Sequence, residues 1–294
     1  MNEFEIKFNQ ADQLIQENKY LHAIQVLQSL LVVPEYSRKV VIKLVEIYDL
    51  QGQIDSASKI LNNYLLQNDD DENIRAYFAH FLIRNEKFNE AHDILSGLSN
   101  KHHPEKSFLM GLVNFYLNDF EVALINFTEF INNNKNSEIL PDAYLYKAKC
   151  NIEKSELDEA IQNLNSSIKF DNGNSETYTT FAKVYYIKEM YYHALEKIKI
   201  SIELNPLDLD AIEWSGRIFF KLGDFKNAKK QFELVIEIDK SNSEIFAILG
   251  LTCLNLEDFD SAKYYFDEAL KLDSSNELAQ KGIPACNKNY FDGI

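Results

Sequence analysis

The sequence predicts an all-α protein made of tandem pairs of antiparallel helices, and three observations support this prediction. Alanine recurs at intervals close to 34 residues over most of the chain. Within each interval, apolar residues recur every three or four positions on both sides of a short polar break, which is typical of two amphipathic helices. Glycine and proline number only 9 and 5 among 294 residues, so few positions favour tight turns or interrupt helices. Because one helix pair cannot cover its own apolar face, the units are expected to stack on one another.

Four rows of equivalent positions define the repeat. The alanines are Ala23, Ala57, Ala91, Ala123, Ala160, Ala194, Ala228 and Ala262, separated by 34, 34, 32, 37, 34, 34 and 34 residues. Twelve residues before them lie Ala11, Val45, Ala79, Gly111, Ala148, Ala182, Gly216 and Gly250. Three residues before the alanines lie Tyr20, Ile54, Phe88, Phe120, Leu157, Tyr191, Phe225 and Phe259, and four residues after them lie Leu27, Leu61, Leu95, Phe127, Leu164, Ile198, Phe232 and Phe266. Small residues in two rows let paired helices approach closely, where bulkier side chains would cost about 1–3 kcal/mol through overpacking.

The expected starts of the first helices carry their own signals. The candidate N-cap residues are Asn174, Asp208, Asn242 and Asn276, which recur 34 residues apart. Such side chains accept hydrogen bonds from backbone N–H groups that have no partner within the helix. The acidic residues of the following turns are Glu176, Asp210 and Glu244. Negative charge there complements the helix dipole.

The repeat resembles the tetratricopeptide repeat, whose 34-residue pattern is W-x2-L-G-x2-Y, then A-x3-F, then P. One unit reads Phe246-x2-Leu249-Gly250-x2-Cys253 and then Ala262-x3-Phe266; another reads Tyr178-x2-Phe181-Ala182-x2-Tyr185, then Ala194-x3-Ile198 and Pro206. The resemblance implies a right-handed superhelical solenoid of eight repeats. Departures lie mostly in the N-terminal half, where Val45 replaces the small residue, and most units lack the closing proline.

The predicted organisation is a single solenoid over residues 1–294. The expected repeats are approximately 4–37, 38–71, 72–103, 104–140, 141–174, 175–208, 209–242 and 243–276. The irregular 32- and 37-residue intervals coincide with "LSNKHHPEK" and "NNNKNSEILP", where loops or a slight hinge are expected on either side of the fourth repeat. Residues 277–294 are expected to begin as a short capping helix that Pro284 stops or kinks, and to end in a loose tail from residue 287.

The resemblance implies that a partner segment binds in a concave groove lined by the first helix of each repeat. The residues implied to face it, one after each small residue, are Asp12, Glu46, His80, Leu112, Lys149, Lys183, Arg217 and Leu251. Lys149, Lys183 and Arg217 form a row of cations in successive repeats, which favours an acidic segment at repeats five to seven. The alternative is that these cations pair with Glu153, Glu213 or Glu176 in solvent and contribute little.

Large side chains on the same helices are candidate anchors for a bound peptide. They are Leu112, Tyr116, Tyr146, Tyr186 and Trp214, among which Tyr116 and Trp214 are most expected to be exposed. Aromatic residues are enriched among the hot spots of binding interfaces. The alternative is that about half of the aromatic residues on these helices, Phe108 and Phe115 above all, belong to the core between repeats.

Composition disfavours several other classes of protein. The net charge of −16 and pI near 4.8 disfavour nucleic-acid binding, which needs a basic surface. No segment approaches the roughly 18 consecutive apolar residues of a membrane span. The N-terminus does not have the pattern of a signal peptide, and Cys150, Cys253 and Cys286 lie far apart. These observations predict a cytoplasmic protein without membrane insertion or a disulfide framework.

Motifs for catalysis, cofactor binding or metal binding are lacking. There is no Gly-rich phosphate loop, nucleophile elbow or HExxH motif. His102 and His103 are interpreted as ordinary loop histidines. Lys147-x3-Asn151 has the spacing of the carboxylate clamp by which some members of the family bind chaperone tails, but both residues are expected to face a neighbouring helix.

The sequence therefore predicts a non-enzymatic scaffold or adaptor that binds a protein or peptide partner, without cofactor or metal. One alternative is a structural protein that self-associates through the solenoid ends or convex face, giving a homo-oligomer. A remoter alternative is a regulatory part of an enzyme system.

Overall fold

The computed structural model describes residues 3–99 and 103–286, and these residues form helices without any β-strand. The α-helices are α1 (Glu3–Gln16), α2 (Tyr20–Leu30), α3 (Pro34–Leu50), α4 (Ile54–Leu65), α5 (Glu72–Arg84), α6 (Phe88–Ser96), α7 (Lys106–Tyr116), α8 (Phe120–Asn133), α9 (Leu140–Glu153), α10 (Leu157–Phe170), α11 (Ser175–Ile187), α12 (Tyr191–Leu204), α13 (Leu209–Lys221), α14 (Phe225–Ile238), α15 (Ser243–Asn255), α16 (Phe259–Leu272) and α17 (Glu277–Gly282). The last helix is followed by a 3₁₀ turn, Ile283–Cys286.

The chain divides into two compact units, Met1–Lys135 and Asn136–Ile294. The boundary lies inside the segment that separates the fourth and fifth alanines by 37 residues. Unit 1 contains α1–α8 and unit 2 contains α9–α17. In both units the odd-numbered helix of a pair packs against the next helix, and the second helix of each pair contacts the first helix of the following pair. The predicted fold class, an all-α array of tandem helix pairs, is confirmed.

The core of each pair depends on matched side-chain sizes in two rows of the repeat. All eight residues of the alanine row are fully buried, as are the large residues four positions later. Where the large residue is Phe127, Phe232 or Phe266, the facing small residue is glycine, and a Cβ added there would lie 2.6–2.7 Å from the ring. In the other five repeats the large residue is Leu or Ile and the facing residue is Ala or Val. The two rows therefore compensate each other in volume, as close packing requires.

Val45 is the exception in the row of small residues. It occupies a position that is small in every other repeat, yet both Val45 and Leu61 of the same repeat are fully buried. The second repeat therefore has the same helix pair as its neighbours, α3 and α4, despite this departure from the family pattern.

The turn inside every repeat contains one residue in the left-handed backbone region. These residues are Asn18, Gly52, Glu86, Asn118, Ser155, Glu189, Gly223 and Glu257, with φ between 58° and 74°. Each lies five residues before the alanine of its repeat. Glycine adopts this conformation without steric cost, whereas other L-residues are disfavoured there by about 1–2 kcal/mol. The packing of the two helices therefore imposes the conformation even on glutamate and serine.

The predicted N-caps are confirmed. The side chains of Asn174, Asp208, Asn242 and Asn276 each accept a hydrogen bond from a backbone N–H of the first turn. The second helix α16 is capped in the same way by Asp258. These bonds satisfy donors that would otherwise have no partner in the helix.

The C-terminal segment covers the apolar end of the last repeat. Gly282 packs so closely on Phe266 that an added Cβ would lie 2.2 Å from its ring. The helix ends at this glycine and Pro284 lies in the following 3₁₀ turn, as its sequence predicts. The loose tail predicted for residues 287–294 lies outside the described residues.

The three cysteines, Cys150, Cys253 and Cys286, are free and buried. Burial raises the pKa of the Cys150 thiol to about 12 and that of Cys253 to about 11. High pKa values and burial make them unreactive at neutral pH.

Candidate functional site

The predicted row of cations lies on the first helices of unit 2. Lys149 is on α9, Lys183 on α11 and Arg217 on α13. We use the term first-helix face of unit 2 for the accessible surface of α9, α11, α13 and α15. Consecutive helices of this face are in contact, α9 with α11 and α11 with α13. The three cations therefore follow one another from repeat to repeat.

Each of these cations forms an ion pair with a carboxylate of the next repeat, 27 residues further along the chain. Lys149 bonds to Glu176, Lys183 bonds to Asp210 with an Nζ–Oδ2 distance of 2.7 Å, and Arg217 Nη2 bonds to Glu244 Oε1 at 2.8 Å. The carboxylates are the second residues of α11, α13 and α15. Their negative charge therefore complements the dipole of their own helix as well as pairing with the cation of the preceding repeat.

The two partners of each ion pair differ in accessibility. The side chains of Lys149, Lys183 and Arg217 are 22%, 30% and 21% exposed. Those of Glu176, Asp210 and Glu244 are 56%, 53% and 64% exposed. The cations are therefore recessed and the carboxylates lie nearer to solvent.

Aromatic rings hold the cations in place. Lys183 Nζ lies 5.4 Å from the centre of the Trp214 ring, and Arg217 Cζ lies 5.7 Å from it. Tyr186 meets Trp214 edge-on, with ring centres 5.2 Å apart. Lys149 Nζ lies 4.5 Å from the ring of Tyr146. Four of the eight predicted site residues, Lys183, Arg217, Tyr186 and Trp214, thus form one cluster. Lys149 and Tyr146 form a separate pair on α9.

Arg217 has the most extensive set of contacts in this cluster. Its Nε donates to Glu213 Oε1 at 2.8 Å in addition to the bond with Glu244. Burial lowers the pKa of Arg217, but its hydrogen bonds to Glu244 and Glu213 outweigh this effect, so the pKa is raised. Burial also raises the pKa of Tyr186, so its hydroxyl stays protonated at neutral pH.

Two predicted residues, Leu112 and Tyr116, lie in unit 1 on α7. Leu112 is half-buried, whereas Tyr116 is 44% exposed. The Tyr116 ring stacks on Phe88 with ring centres 4.6 Å apart and meets Phe115 edge-on at 5.3 Å. Tyr116 is therefore an aromatic side chain that is held by two other rings and is still partly accessible to solvent.

Phe108, on the same helix, is buried and packs against Phe127 and Phe130. It belongs to the core, as the alternative interpretation of the aromatic residues expected.

A small pocket of about 330 Å³ lies on α5 of unit 1 and is lined by Tyr77, His80, Phe81, Ile83 and Arg84. Arg84 forms an ion pair with Asp49. Burial raises the pKa of Tyr77 and lowers that of His80, so His80 is neutral at neutral pH. The row of implied groove residues includes His80, but the sequence analysis did not identify Arg84 or its ion pair.

The remaining candidate features do not form sites in the described residues. Asn151 is buried and bonds to Glu156 and Asn163, so its amide is already engaged within the protein, and Lys147 is half-buried. His103 is buried and contacts Glu105, whereas His102 lies outside the described residues. Among residues 3–99 and 103–286, no group of three His, Cys, Asp or Glu side chains is arranged to hold a metal ion. In the same ranges, every helix is too short or too polar to cross a lipid bilayer.

Comparison with known families and structures identifies the class of the protein. Residues 209–242 and 243–276 match the tetratricopeptide repeat family, and residues 50–130 match the family described as anaphase-promoting complex, cyclosome, subunit 3. No curated protein matches the sequence. The chain is a tetratricopeptide repeat protein, and proteins of this kind act in general as scaffolds for protein–protein interactions.

Solved structures similar to this chain share its fold at low sequence identity. A chain of the APC/C hetero-tetramer Cut9-Hcn1 is 13% identical with a TM-score of 0.67, over 97% of this chain and 57% of that one. This chain therefore spans little more than half the length of that relative. A tetratricopeptide repeat protein from Parabacteroides merdae is 14% identical with a TM-score of 0.61, over 84% of this chain and 98% of that one. YrrB, described as a TPR protein with an unusual peptide-binding site, is 20% identical with a TM-score of 0.53, over 62% of this chain and 94% of that one.

Proposed function

We propose that the protein is a non-enzymatic scaffold that binds an extended acidic segment of a partner protein on the first-helix face of unit 2. The observation that carries this proposal is the cluster of Lys183, Arg217, Tyr186 and Trp214, which combines fixed cations with aromatic rings. Cations fixed against rings require little further ordering when a partner binds, and this lowers the entropic cost of binding. Trp, Tyr and Arg are also the residues that dominate the energetics of interfaces.

The ion pairs of the face are compatible with an acidic partner because the cations retain hydrogen-bonding capacity. A lysine ammonium group has three donors. Lys149 uses one of them for Glu176, and Lys183 bonds to the two oxygens of Asp210. A partner carboxylate can therefore be added to a lysine that already has one. Partly exposed ion pairs contribute only about 0–1 kcal/mol each, so their rearrangement costs little.

A photo-crosslinking experiment tests whether a partner binds on this face. A photoreactive amino acid replaces Tyr186 on α11 or, as a control, Tyr192, which is 78% exposed on the second helix α12. We expect crosslinks to a defined partner segment from position 186 and none to that segment from position 192. Crosslinks from position 192 alone, or from neither position, would overturn the proposal.

Charge reversal of one cation tests whether the partner segment is acidic. Lys183→Glu is compared with Lys229→Glu on the second helix α14, because Lys229 is 25% exposed and also pairs with a carboxylate of the next repeat, Asp258, at 3.0 Å. We expect Lys183→Glu to weaken binding of the crosslinked segment at least about tenfold, since it replaces attraction by repulsion. Lys229→Glu is expected to leave the affinity unchanged. Equal effects of the two variants would contradict an acidic partner on this face.

Self-association through a solenoid end or the convex face is the rival function, and one observation weighs against a contact through α1. The outward surface of α1 carries exposed Glu3, Glu5, Asn9, Gln10 and Gln13. Ile6 is the exposed large apolar side chain among them. A face of this composition offers little apolar area to a second copy. Sedimentation over a wide concentration range tests the rival, which a persistent dimer would support.

A further inference from the structure

The carboxylates of the first-helix face of unit 2 occupy the positions at which partner carboxylates would be needed. Glu176, Asp210 and Glu244 each lie beside a recessed cation and are themselves more than half exposed. They belong to the repeat that follows the cation, so each ion pair joins two repeats. The carboxylates of an acidic segment lying along the face would occupy the same positions beside the cations.

Each cation has a further contact besides its carboxylate on the next repeat. Lys183 and Arg217 lie against Trp214, and Lys149 lies against Tyr146. Arg217 has a second carboxylate, Glu213, on its own helix. Since the carboxylates are the more exposed partners, rotation of their side chains can expose the cations without moving a helix.

We infer that Glu176, Asp210 and Glu244 are internal competitors that occupy the places of partner carboxylates and are displaced when the acidic segment binds. This inference rests on the proposed function and specifies its mechanism. It explains how a chain with a net charge of −16 keeps a row of cations neutralised until a partner arrives. An acidic partner gains affinity only where it outcompetes the internal carboxylates, which favours segments with several carboxylates over single ones.

The spacing of the helices defines a suitable probe. Packed helices lie about 8–10 Å apart, and a chain in the extended polyproline II conformation advances about 3.1 Å per residue with three residues per turn. Carboxylates at every third position of such a peptide therefore lie on one side, about 9 Å apart, which matches the spacing of successive first helices. The probe is a synthetic peptide with four Asp-Gly-Ser triplets, and its charge-reversed counterpart has four Lys-Gly-Ser triplets.

The test measures whether removing the three carboxylates raises or lowers the affinity for the acidic peptide. The variant carries Glu176→Gln, Asp210→Asn and Glu244→Gln together, and the single variant Asp210→Asn is measured beside it. Binding is followed by the fluorescence of Trp214, the one tryptophan of the chain, which lies inside the site. We expect the triple variant to bind the acidic peptide about threefold to tenfold more tightly than the unmodified chain, because each exposed ion pair to be displaced is weak.

A matched control separates competition from a change in net charge or helix stability. Glu121→Gln, Glu159→Gln and Asp260→Asn together remove three carboxylates from first turns of second helices. This control has the same net charge as the triple variant and loses the same kind of helix-dipole interaction. Competition predicts that the control gains less affinity than the triple variant.

Each outcome of the measurement is decisive. Equal gains in the triple variant and the control would overturn the inference, because the effect would then come from net charge. Tighter binding of the lysine peptide by the unmodified chain, lost in the triple variant, would overturn it in favour of a basic partner. Binding of the acidic peptide without any gain in the triple variant would overturn the inference while the proposed function stands. If unmodified chain, triple variant and Asp210→Asn all fail to bind the acidic peptide, the acidic-segment function fails as well.

Discussion

Gly216 packs against the ring of Phe232, and enlarging this glycine tests whether size matching in the two rows stabilises the helix pairs. A Cβ on residue 216 would lie 2.7 Å from Phe232 Cε1 and 2.9 Å from Cδ1 and Cζ. Such contacts are shorter than van der Waals distances, so α13 or the ring must move. Overpacking of this kind lowers the free energy of unfolding by about 1–3 kcal/mol, whereas the higher helix propensity of alanine raises it by about 1 kcal/mol. We therefore expect Gly216→Ala to destabilise the protein by up to about 2 kcal/mol.

The informative variant is the double substitution Gly216→Ala with Phe232→Leu. It reproduces the Ala–Leu combination of three other repeats, Ala11–Leu27, Ala79–Leu95 and Ala148–Leu164. Phe232→Leu alone leaves an unfilled volume above the glycine and is expected to destabilise by about 1 kcal/mol. Because the added methyl group occupies that volume, the double variant should be more stable than the sum of the single effects by about 1–2 kcal/mol.

Thermal and chemical denaturation followed by circular dichroism measures the stability of the four proteins of this cycle. The fluorescence of Trp214, two residues from the substitution, reports on α13 separately, which matters because repeat proteins can unfold in parts. Additive single effects, equal to the double variant within about 0.5 kcal/mol, would refute the size-matching explanation.

Two further predictions concern the turns and a buried thiol. Glu257 is exposed with φ of 60°, so Glu257→Gly should raise the thermal midpoint by an amount equivalent to about 0.5–1 kcal/mol. Gly223 has φ of 74°, so Gly223→Ala should lower the midpoint. A midpoint that falls for Glu257→Gly, or one that is unchanged for Gly223→Ala, would contradict the role assigned to the left-handed turn residues. Burial raises the pKa of Cys150 from 9.0 to about 12, so the unfolded chain loses this proton first and stability should fall as the pH rises from about 9 towards 12. Denaturation at several pH values should show a shallower decline for Cys150→Ala, and an identical decline would show that the thiol does not contribute.

The sequence was sufficient to predict the repeat, because the features that define it are local and recur. An N-cap such as Asn242 acts on its own helix, and the alanine row needs only its 34-residue spacing to be recognised. The burial of Ala262 and Phe266 follows from the same spacing, since equivalent positions in stacked units have equivalent surroundings.

The features that sequence analysis missed are those that join residues of different helices. The left-handed turn residue could have been suspected from Gly52 and Gly223, but Glu189 in the same position carries no signal of its own. Each cation forms its ion pair with a residue of the next repeat, which is distant in sequence. The available clue was that cation and carboxylate are always 27 residues apart, as are Lys183 and Asp210. Glu176 and Glu213 had been considered as partners of the cations, and each forms such an ion pair. Asp210 and Glu244 were assigned to the helix dipole alone, because their contacts with the cations exist only once the helices are packed.

The outcome for the candidate site was mixed for a physical reason. Whether an aromatic side chain on a first helix is accessible depends on its neighbours, and Tyr116 is 44% exposed although its ring stacks on Phe88. Trp214 is covered further by two cations. The prediction that both act as anchors stays a prediction for binding experiments.

The ion pairs between successive first helices have a consequence for how such a chain can lengthen. A repeat such as residues 175–208 carries an acceptor at its second position, Glu176, and a donor at its ninth, Lys183. Each repeat therefore supplies a carboxylate to the ion pair with the preceding repeat and a cation to the ion pair with the following one. A tandem duplication of this segment would form both ion pairs with its neighbours. With respect to these ion pairs, gene duplication can therefore add a repeat to unit 2 without leaving a cation or a carboxylate unpaired.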